Sequence, residues 1–328
     1  MASDGNSTAS QRLVDFTDDD LQGVDAGLSV LRVIALVLSV LNFTLILTLN
    51  PLCLIVIQRV ANMQPTTKMF MTSLTVSDLG TGIFVLLPHI VDSIAGYWPF
   101  GVFACSAFRI AKYLFFCLCF LSLLLLTIDR YIAVVRCLHY PRLVTVRRSR
   151  VAVFGVLILV TTVSITGNVF NERRPTQPFS KPACEPTDEK VLIHITLGLA
   201  FLALIMIVVM YIHILTIARR QARRIAQERP VSPNVPQGVG TNSFTTIITI
   251  TVVVVGGWVP LLVGVFLVNN GISLPLDTTK IVYALYFTTN WMDAVAFYVR
   301  NTECKGVLHR MATAAVGTVR RKLVCIQG

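Results

Sequence analysis

The chain has 328 residues, of which 54% are hydrophobic and only 14% are charged. Soluble globular domains carry about 25% charged residues, so this composition excludes an ordinary soluble domain and predicts a protein that crosses a membrane several times. The formal net charge of +11 does not indicate a nucleic-acid-binding protein, because most of the 28 Lys and Arg lie in short clusters between apolar segments.

The first 27 residues form an acidic segment with six aspartates. They lack the basic start and the cleavable apolar run of a signal peptide, and Asn6 begins an Asn-Ser-Thr triplet that is a candidate glycosylation site. We expect residues 1–27 to form an extracellular tail that is glycosylated at Asn6.

Seven apolar segments are long enough to cross about 30 Å of hydrocarbon. They comprise residues 28–57, 69–93, 103–136, 150–170, 190–218, 244–269 and 279–299. An odd number of spans places the two ends of the chain on opposite sides, and the positive-inside rule assigns the basic clusters to the cytoplasm. The sequence therefore predicts an all-α membrane protein, a bundle of seven transmembrane helices over residues 28–299.

Residues 300–328 are predicted to be cytoplasmic. Val307, Leu308 and Met311 occur at helical spacing among basic and polar residues, which predicts a short amphipathic helix on the membrane surface. Near the C-terminus, Cys325 follows a basic cluster and is a candidate for palmitoylation. Prenylation of Cys325 and an unmodified thiol are the alternatives.

The third span carries the most informative motif, because its apolar run ends on Asp129, Arg130 and Tyr131. A charged pair at this position lies where a membrane helix meets water, although simple anchoring residues occur there too. Cys105 lies 25 residues before Arg130, and Cys184 follows in an outer loop. Together these features resemble the third helix of rhodopsin-like (class A) G-protein-coupled receptors and do not assign a subfamily.

Other spans extend this resemblance. Asn50 in span one and Asp78 in span two resemble the membrane-buried Asn and Asp of the family, and Tyr211 resembles the tyrosine at the inner end of its fifth helix. Trp258 and Pro260 match the Cys-Trp-x-Pro motif of its sixth helix, where proline bends the helix. The resemblance implies a disulfide between Cys105 and Cys184. It also implies an activation switch made by Asp129, Arg130, Tyr131, Tyr211, Trp258, Pro260, Asp293 and Phe297.

The seventh span departs furthest from the family. Our preferred alignment places Asp293 and Ala294 at the Asn/Asp-Pro pair and Phe297 at the family's tyrosine. A shift of one residue recovers Tyr298 as that tyrosine but loses Asp293. Because of these departures, the alternative is a receptor that still binds its ligand but signals weakly.

The resemblance also suggests a sodium ion in the bundle core, because hard cations are bound by several oxygen ligands. Its ligands would be Asp78, Asp293, Asn50 and Asn290. Cys119 stands where the family often has a hydroxyl, so a water-filled polar core without an ion is the alternative. We expect no other cofactor.

The ligand site is expected between the outer halves of the helices. Lys112 lies about two helical turns inward from Cys105, at a position where amine receptors of the family carry an aspartate that pairs with the ligand. A desolvated cation needs a partner, which would be an anionic ligand or the protein's own Asp92. Arg109, one turn above Lys112, would share the cavity or extend to the membrane surface. The remaining expected lining residues are Tyr113, His89, Trp258 and Phe287.

The sequence thus predicts a plasma-membrane receptor that binds an extracellular small molecule or peptide, contacts membrane lipid and activates a heterotrimeric G protein. An enzyme is disfavoured, because neither Asp78 nor Asp293 lies in the Gly-x-Gly-Asp context of intramembrane aspartyl proteases. A transporter is disfavoured by the absence of an internal repeat. Residues 240–243, at the inner start of the sixth span, contain no acidic residue to hold Arg130, which predicts raised basal signalling.

Overall fold

A computed structural model describes the backbone of residues 6–61, 63–172, 184, 190–228, 238–300, 305–307, 310 and 313. Side chains are described for residues 30–61, 63–167, 184, 193–221, 223–224, 253–275, 278–298, 305–307, 310 and 313. The predicted modification sites at Asn6 and Cys325, the side chains of residues 240–243, and Leu308 and Met311 lie outside the described set.

In the part of the chain that the structure describes, seven long helices follow one another in the predicted order. They are α1 (Asn6–Arg59), α2 (Pro65–Ala95), α3 (Gly101–Val135), α4 (Val146–Glu172), α5 (Lys190–Glu228), α6 (Gly238–Asn269) and α7 (Leu276–Arg300). Among the described residues, α1 to α5 each contain an apolar stretch long enough to cross a membrane, and α6 contributes a shorter one, Val253–Asn269. The all-α fold predicted from the sequence is confirmed.

Helix α1 begins much earlier than predicted, at Asn6 rather than at residue 28. No proline interrupts residues 6–29, so nothing in the backbone chemistry ends the helix there. The backbone of the acidic segment therefore continues α1, whereas the other helix bounds lie mostly within a few residues of the predicted spans.

Helix α2 contains one wide turn that sets the direction of its outer half. Residues Gly82–Leu86 form a π-helical turn just before Pro88, which has no N–H to donate to the preceding turn. Such a turn changes which face of the helix points inward. It therefore fixes where His89 and Asp92, which follow it, lie in the bundle.

The helices pack mainly as neighbours in a closed bundle: α1 lies against α7, α2 against α3, α3 against α4 and α5, and α6 against both α5 and α7. Two glycines allow close contacts. A Cβ at Gly80 would overlap the ring of Phe115, and a Cβ at Gly257 would overlap the side chain of Thr289 on α7.

A second apolar cluster joins the inner ends of α1 and α7 to the segment that follows α7. Val56 and Ile57 of α1 pack with Phe297 and with Val307, which is only 6% exposed. Residues 305–307, 310 and 313 are helical. These observations agree with the predicted short helix after the seventh span, packed through Val307.

Candidate functional site

The outer half of the bundle contains a half-buried lysine among aromatic rings. Lys112 Nζ lies 5.0 Å from the ring centroid of Tyr283 on α7 and 6.0 Å from that of Phe108 on its own helix. No carboxylate of the described residues lies within 4.0 Å of Lys112 Nζ. The ammonium group is thus held by ring faces, which attract cations but do not neutralise them.

Helix α2 adds a histidine to the same group of rings. The His89 ring centroid lies 5.6 Å from that of Tyr283 and 6.1 Å from that of Phe287, whose side chain is fully buried. The expected lining residues Lys112, His89 and Phe287 therefore meet around Tyr283.

Asp92 lies on α2, three residues after His89, and is half-buried. Asp92 forms no ion pair within 4.0 Å with Lys112 or Lys280. The Lys112–Asp92 ion pair that was the alternative to an anionic ligand is therefore not formed in this structure.

Two other expected residues make contacts away from this centre. The Arg109 guanidinium lies along its own helix, with Nη2 3.3 Å from Ser106 Oγ and Nη1 4.0 Å from Cys105 Sγ. Tyr113 points towards α5, where its hydroxyl lies 2.8 Å from Thr196 Oγ1. This bond joins α3 to α5.

An aromatic cluster lies beneath the cavity, around Trp258, which is only 2% exposed. Its ring centroid lies 4.6 Å from that of Phe120 and 5.2 Å from those of Phe116 and Tyr286. Pro260 lies two residues later, inside α6. Trp258 therefore joins α3, α6 and α7 directly below the lysine, at the level where α6 lacks a backbone donor.

The middle of the bundle is polar. Cys119 Sγ lies 3.4 Å from Asp78 Oδ1, 3.6 Å from Asn290 Oδ1 and 3.3 Å from Thr81 Oγ1. Asn50 uses its amide N–H groups on the backbone carbonyls of Ile46 and Asn290. Among the described groups, Asp78 Oδ2 and Asn50 Oδ1 are buried and have no hydrogen-bond partner.

A network at the cytoplasmic end of α3 holds the charged pair. Asp129 is fully buried and accepts hydrogen bonds from Tyr140 (2.6 Å to Oδ1) and Thr67 (2.9 Å to Oδ2). Arg130 Nη2 lies 3.3 Å from Asp129 Oδ2 and donates to Thr67 Oγ1. Burial and the hydrogen bond to Asp129 raise the pKa of Tyr140, so this hydroxyl remains a donor at neutral pH.

Tyrosines on α3 and α5 flank this network. Tyr211 is 5% exposed, and Thr127 Oγ1 lies 3.5 Å from its hydroxyl. Tyr131 points elsewhere, with its hydroxyl 3.0 Å from His213 Nδ1. Tyr211 thus contacts Thr127, which lies one helical turn before Arg130 on α3. Tyr131 instead contacts His213, an exposed residue of α5.

The inner end of α7 packs against α1. Ala294 and Phe297 are buried in the apolar cluster with Val56, whereas the Tyr298 hydroxyl lies 3.5 Å from the Leu49 carbonyl oxygen. Asp293 is half-buried. Both alignments of this span therefore place an aromatic residue in contact with α1.

The predicted disulfide is present. Cys105 at the start of α3 is bonded to Cys184, with a Cα–Cα distance of 5.6 Å. The bond ties the outer end of α3 to the segment between α4 and α5, above the lysine cavity.

Sequence reasoning missed three residues that complete these sites. Tyr283 contacts Lys112 and His89, and Thr67 and Tyr140 belong to the cytoplasmic network. The spacing of Tyr283 from Phe287, four residues, was the available signal, because the two residues share one helical face. No comparable signal connects Tyr140 to Asp129.

Comparison with known proteins bears on these features. Residues 49–296 match the family described as 7 transmembrane receptor (rhodopsin family). Similar proteins include the alpha-1A adrenergic receptor of Canis lupus familiaris, 32% identical over 158 residues that cover 48% of this chain and 53% of that receptor. The same receptor of Cavia porcellus is 32% identical over 193 residues, 58% of this chain and 41% of that protein.

A more distant relative is the alpha-2B adrenergic receptor of Elephas maximus, 23% identical over 189 residues that cover 57% of this chain and 49% of that protein. The chain thus spans about half the length of the curated relatives it matches.

Proposed function

Because the chain belongs to the rhodopsin family of seven-transmembrane receptors, we propose that it is a plasma-membrane receptor that couples an extracellular anionic ligand to a heterotrimeric G protein. Proteins of this family are receptors and not enzymes, as the sequence predicted. The observation that carries the ligand proposal is Lys112, a half-buried cation without a carboxylate of the described residues within 4.0 Å.

The relatives are adrenergic receptors by name, and the lysine argues against a similar ligand here. In amine receptors of the family the position of Lys112 carries an aspartate, which pairs with an ammonium group. A lysine repels that group and favours a carboxylate or phosphate instead. The named relatives therefore support the receptor class of this chain but not an amine ligand.

The charges around the cavity also favour a negatively charged ligand. Lys112 and Lys280 contribute two positive charges and Asp92 contributes one negative charge, and no ion pair within 4.0 Å joins them among the described residues. The net charge of these three groups is positive. A small acid that contacts the rings of Tyr283 and His89 fits this arrangement; an acidic or C-terminal group of a peptide is the alternative.

Signal transfer would work by a shift in population between two states. In the structure, Arg130 is held beside Asp129 and Thr67, and Trp258 is packed against α3 and α7. Ligand contacts at Lys112 would repack Trp258 and favour a state in which α6 swings about Pro260. Arg130 would then leave Asp129 and face Tyr211 and the G protein.

We also propose the bundle core as a sodium site. The fit rests on two buried oxygens, Asp78 Oδ2 and Asn50 Oδ1, that have no hydrogen-bond partner among the described groups. Asn290 and Asp293 would supply further oxygens, as hard cations require. Cys119 weakens the fit because its thiol contacts Asp78 and Asn290 in place of a hydroxyl, so water at these oxygens is the alternative occupant.

Basal activation of each G-protein family, measured without ligand, tests the signalling proposal. The comparison is between wild type and Arg130→Ala in cells at matched surface expression. We expect basal output for one G-protein family that the variant loses. Wild-type output no higher than that of Arg130→Ala for every family would instead favour a receptor that binds but signals weakly.

A further inference from the structure

A histidine and two asparagines join α5 to α6 at the end of the bundle that carries the disulfide. His194 lies in the second turn of α5, with Nδ1 2.9 Å from Asn269 Nδ2 and Nε2 3.3 Å from Asn270 Nδ2. The imidazole also meets the ring of Phe266 edge to face, with the ring centroids 6.1 Å apart. We call His194, Asn269 and Asn270 the outer clasp.

The backbone that carries the two amides is fixed by the way α6 ends. Gly271 has a φ of +83°, in the left-handed region, and its N–H donates to the Val268 carbonyl oxygen at 3.1 Å. The Ile272 N–H donates to the Leu267 carbonyl oxygen at 3.0 Å. These are the two bonds of a Schellman motif, a common end of a helix at a glycine. Both asparagines are therefore held in place at the end of α6.

A second hydrogen bond orients the Asn270 amide. Its Nδ2 donates to the Phe266 carbonyl oxygen at 2.8 Å, so the other N–H of this group is directed to His194 Nε2. A half-rotation of the amide would place its oxygen against the Phe266 carbonyl, and two acceptors repel each other. Nε2 is therefore the acceptor, and the neutral imidazole carries its proton on Nδ1. We assign the oxygen of the Asn269 amide to face that N–H.

Protonation of His194 is incompatible with this arrangement. An imidazolium has two N–H donors and no acceptor, so its Nε2–H would point at the N–H of Asn270. A contact between two donors then replaces a hydrogen bond. Relief requires either the loss of the Asn270–Phe266 bond or a separation of α5 from α6. The clasp is therefore formed while the imidazole is neutral and is lost as the pH falls and the ring is protonated.

The groups that face His194 come mainly from α3 and α6, which pack against α5. Those of α6 are Phe266 and the two asparagines, and none of them titrates. Helix α3 contributes Tyr113, which is bonded to Thr196, and Arg109, whose guanidinium lies along its own helix. Four charged residues precede His194, with side chains outside the described set: Glu185, Asp188, Glu189 and Lys190. Tyrosine and arginine keep their protons at neutral pH, so His194 is the titrating group among the described ones.

We propose that the outer clasp is a proton-sensitive contact, through which acid on the disulfide side of the membrane loosens α5 from α6. Histidine is the side chain that ordinarily changes its charge between pH 5 and 8, and the His194 ring is half-buried at the end of its helix. Pro260 lies six residues before Phe266 and removes a backbone donor from α6. The end of α6 beyond Pro260 is therefore able to move once the clasp is lost.

This proposal does not rest on the anionic ligand or on G-protein coupling. It concerns the distance between two helix ends, which is measured without a ligand. Basal signalling that depends on Arg130 and a pH-dependent distance between α5 and α6 can therefore succeed or fail separately.

The test measures that distance by electron spin resonance between two spin labels on the purified full-length chain in phosphatidylcholine nanodiscs. The labels are attached to Ile195→Cys on α5 and Val268→Cys on α6, whose native side chains are 55% and 47% exposed. Cys137, Cys304 and Cys325 are replaced by serine in this background. Between pH 8 and pH 5 we expect the ratio of clasped to open molecules to fall about fivefold, the effect of one ordinary hydrogen bond.

Two variants of His194 separate the hydrogen bond from the packing of the ring. His194→Gln offers an acceptor to Asn270 and a donor to Asn269 but does not titrate, so its distances should match those of wild type at pH 8 at both pH values. His194→Phe keeps an aromatic ring against Phe266 without an acceptor, so it should be open at both. The control His139→Gln removes an exposed histidine from the short turn Cys137–His139 and should keep the pH dependence of wild type.

Three results would overturn the proposal. Identical distances at pH 8 and pH 5 in wild type would mean that the clasp does not respond to protons. A pH response of wild-type size in His194→Gln or in His194→Phe would assign the response to another group, and either variant alone decides this if the other fails to fold. Loss of the response in His139→Gln would place the sensitive group at the other end of the bundle.

Discussion

Replacement of Tyr140 by Phe tests how the structure holds Arg130 in its resting position. The Tyr140 hydroxyl donates to Asp129 Oδ1 at 2.6 Å, and Asp129 is fully buried. Hydrogen bonds to charged groups contribute about 1.5–3 kcal/mol. Thr67 still donates to the other oxygen of Asp129, so we use the lower end of this range. If the bond exists only in the resting state, its loss raises the ratio of active to resting receptor about tenfold.

Basal G-protein activation at matched surface expression measures this shift. Tyr97→Phe is the control, because it removes the same hydroxyl from a tyrosine that is 53% exposed just beyond the outer end of α2 and is no part of the switch. We expect a marked rise in basal output for Tyr140→Phe and little change for the control. Output at or below the wild-type level in Tyr140→Phe, with normal surface expression, would refute the resting role of this network.

Three further predictions concern packing, the polar core and the outer disulfide. Gly257→Ala should lower the melting temperature by several degrees, because its Cβ would overlap Thr289 and overpacking costs about 1–3 kcal/mol; Gly256→Ala, which meets no atom within 4 Å, should not. Cys119→Ser places a hydroxyl, a better sodium ligand than a thiol, beside Asp78. The melting temperature in sodium chloride should then exceed that in choline chloride by more in the variant than in wild type, and an unchanged difference would favour water in the core. Cys105→Ser opens a disulfide between residues 79 positions apart and should destabilise the receptor by about 2–5 kcal/mol, seen as reduced surface expression; wild-type expression and melting would contradict this.

The sequence was sufficient to predict the seven helices. Hydropathy alone located the spans, because a membrane helix must bury about 20 apolar residues in hydrocarbon. Lys112, Asp129 and Trp258 were proposed as site residues because each matches a position that the family resemblance makes informative, and these roles stay predictions. The Cys105–Cys184 disulfide followed from the family resemblance and is confirmed.

The partners of these residues could not be predicted, because they depend on how each helix is rotated. The wide turn at Gly82–Leu86 sets the direction of Asp92, and hydropathy does not reveal it. Tyr140 reaches Asp129 from a short helix outside the bundle, Tyr140–Leu143, where no periodicity of the spans applies.

The central claim is that the ligand cavity is positively charged, and charged thiol reagents measure this most directly without a known ligand. In His89→Cys, the labelling rates of an anionic sulfonatoethyl and a cationic trimethylammonioethyl methanethiosulfonate are compared, each normalised to a free thiol. Labelling of the parent chain corrects for its native cysteines.

A positive charge at roughly 8 Å with an effective dielectric constant of about 20 contributes about 2 kcal/mol, so the anionic reagent should be favoured at least tenfold. Lys112→Gln in the same background should remove most of that preference. Equal normalised rates for the two reagents, or a preference for the cationic one, would contradict the anionic-ligand account.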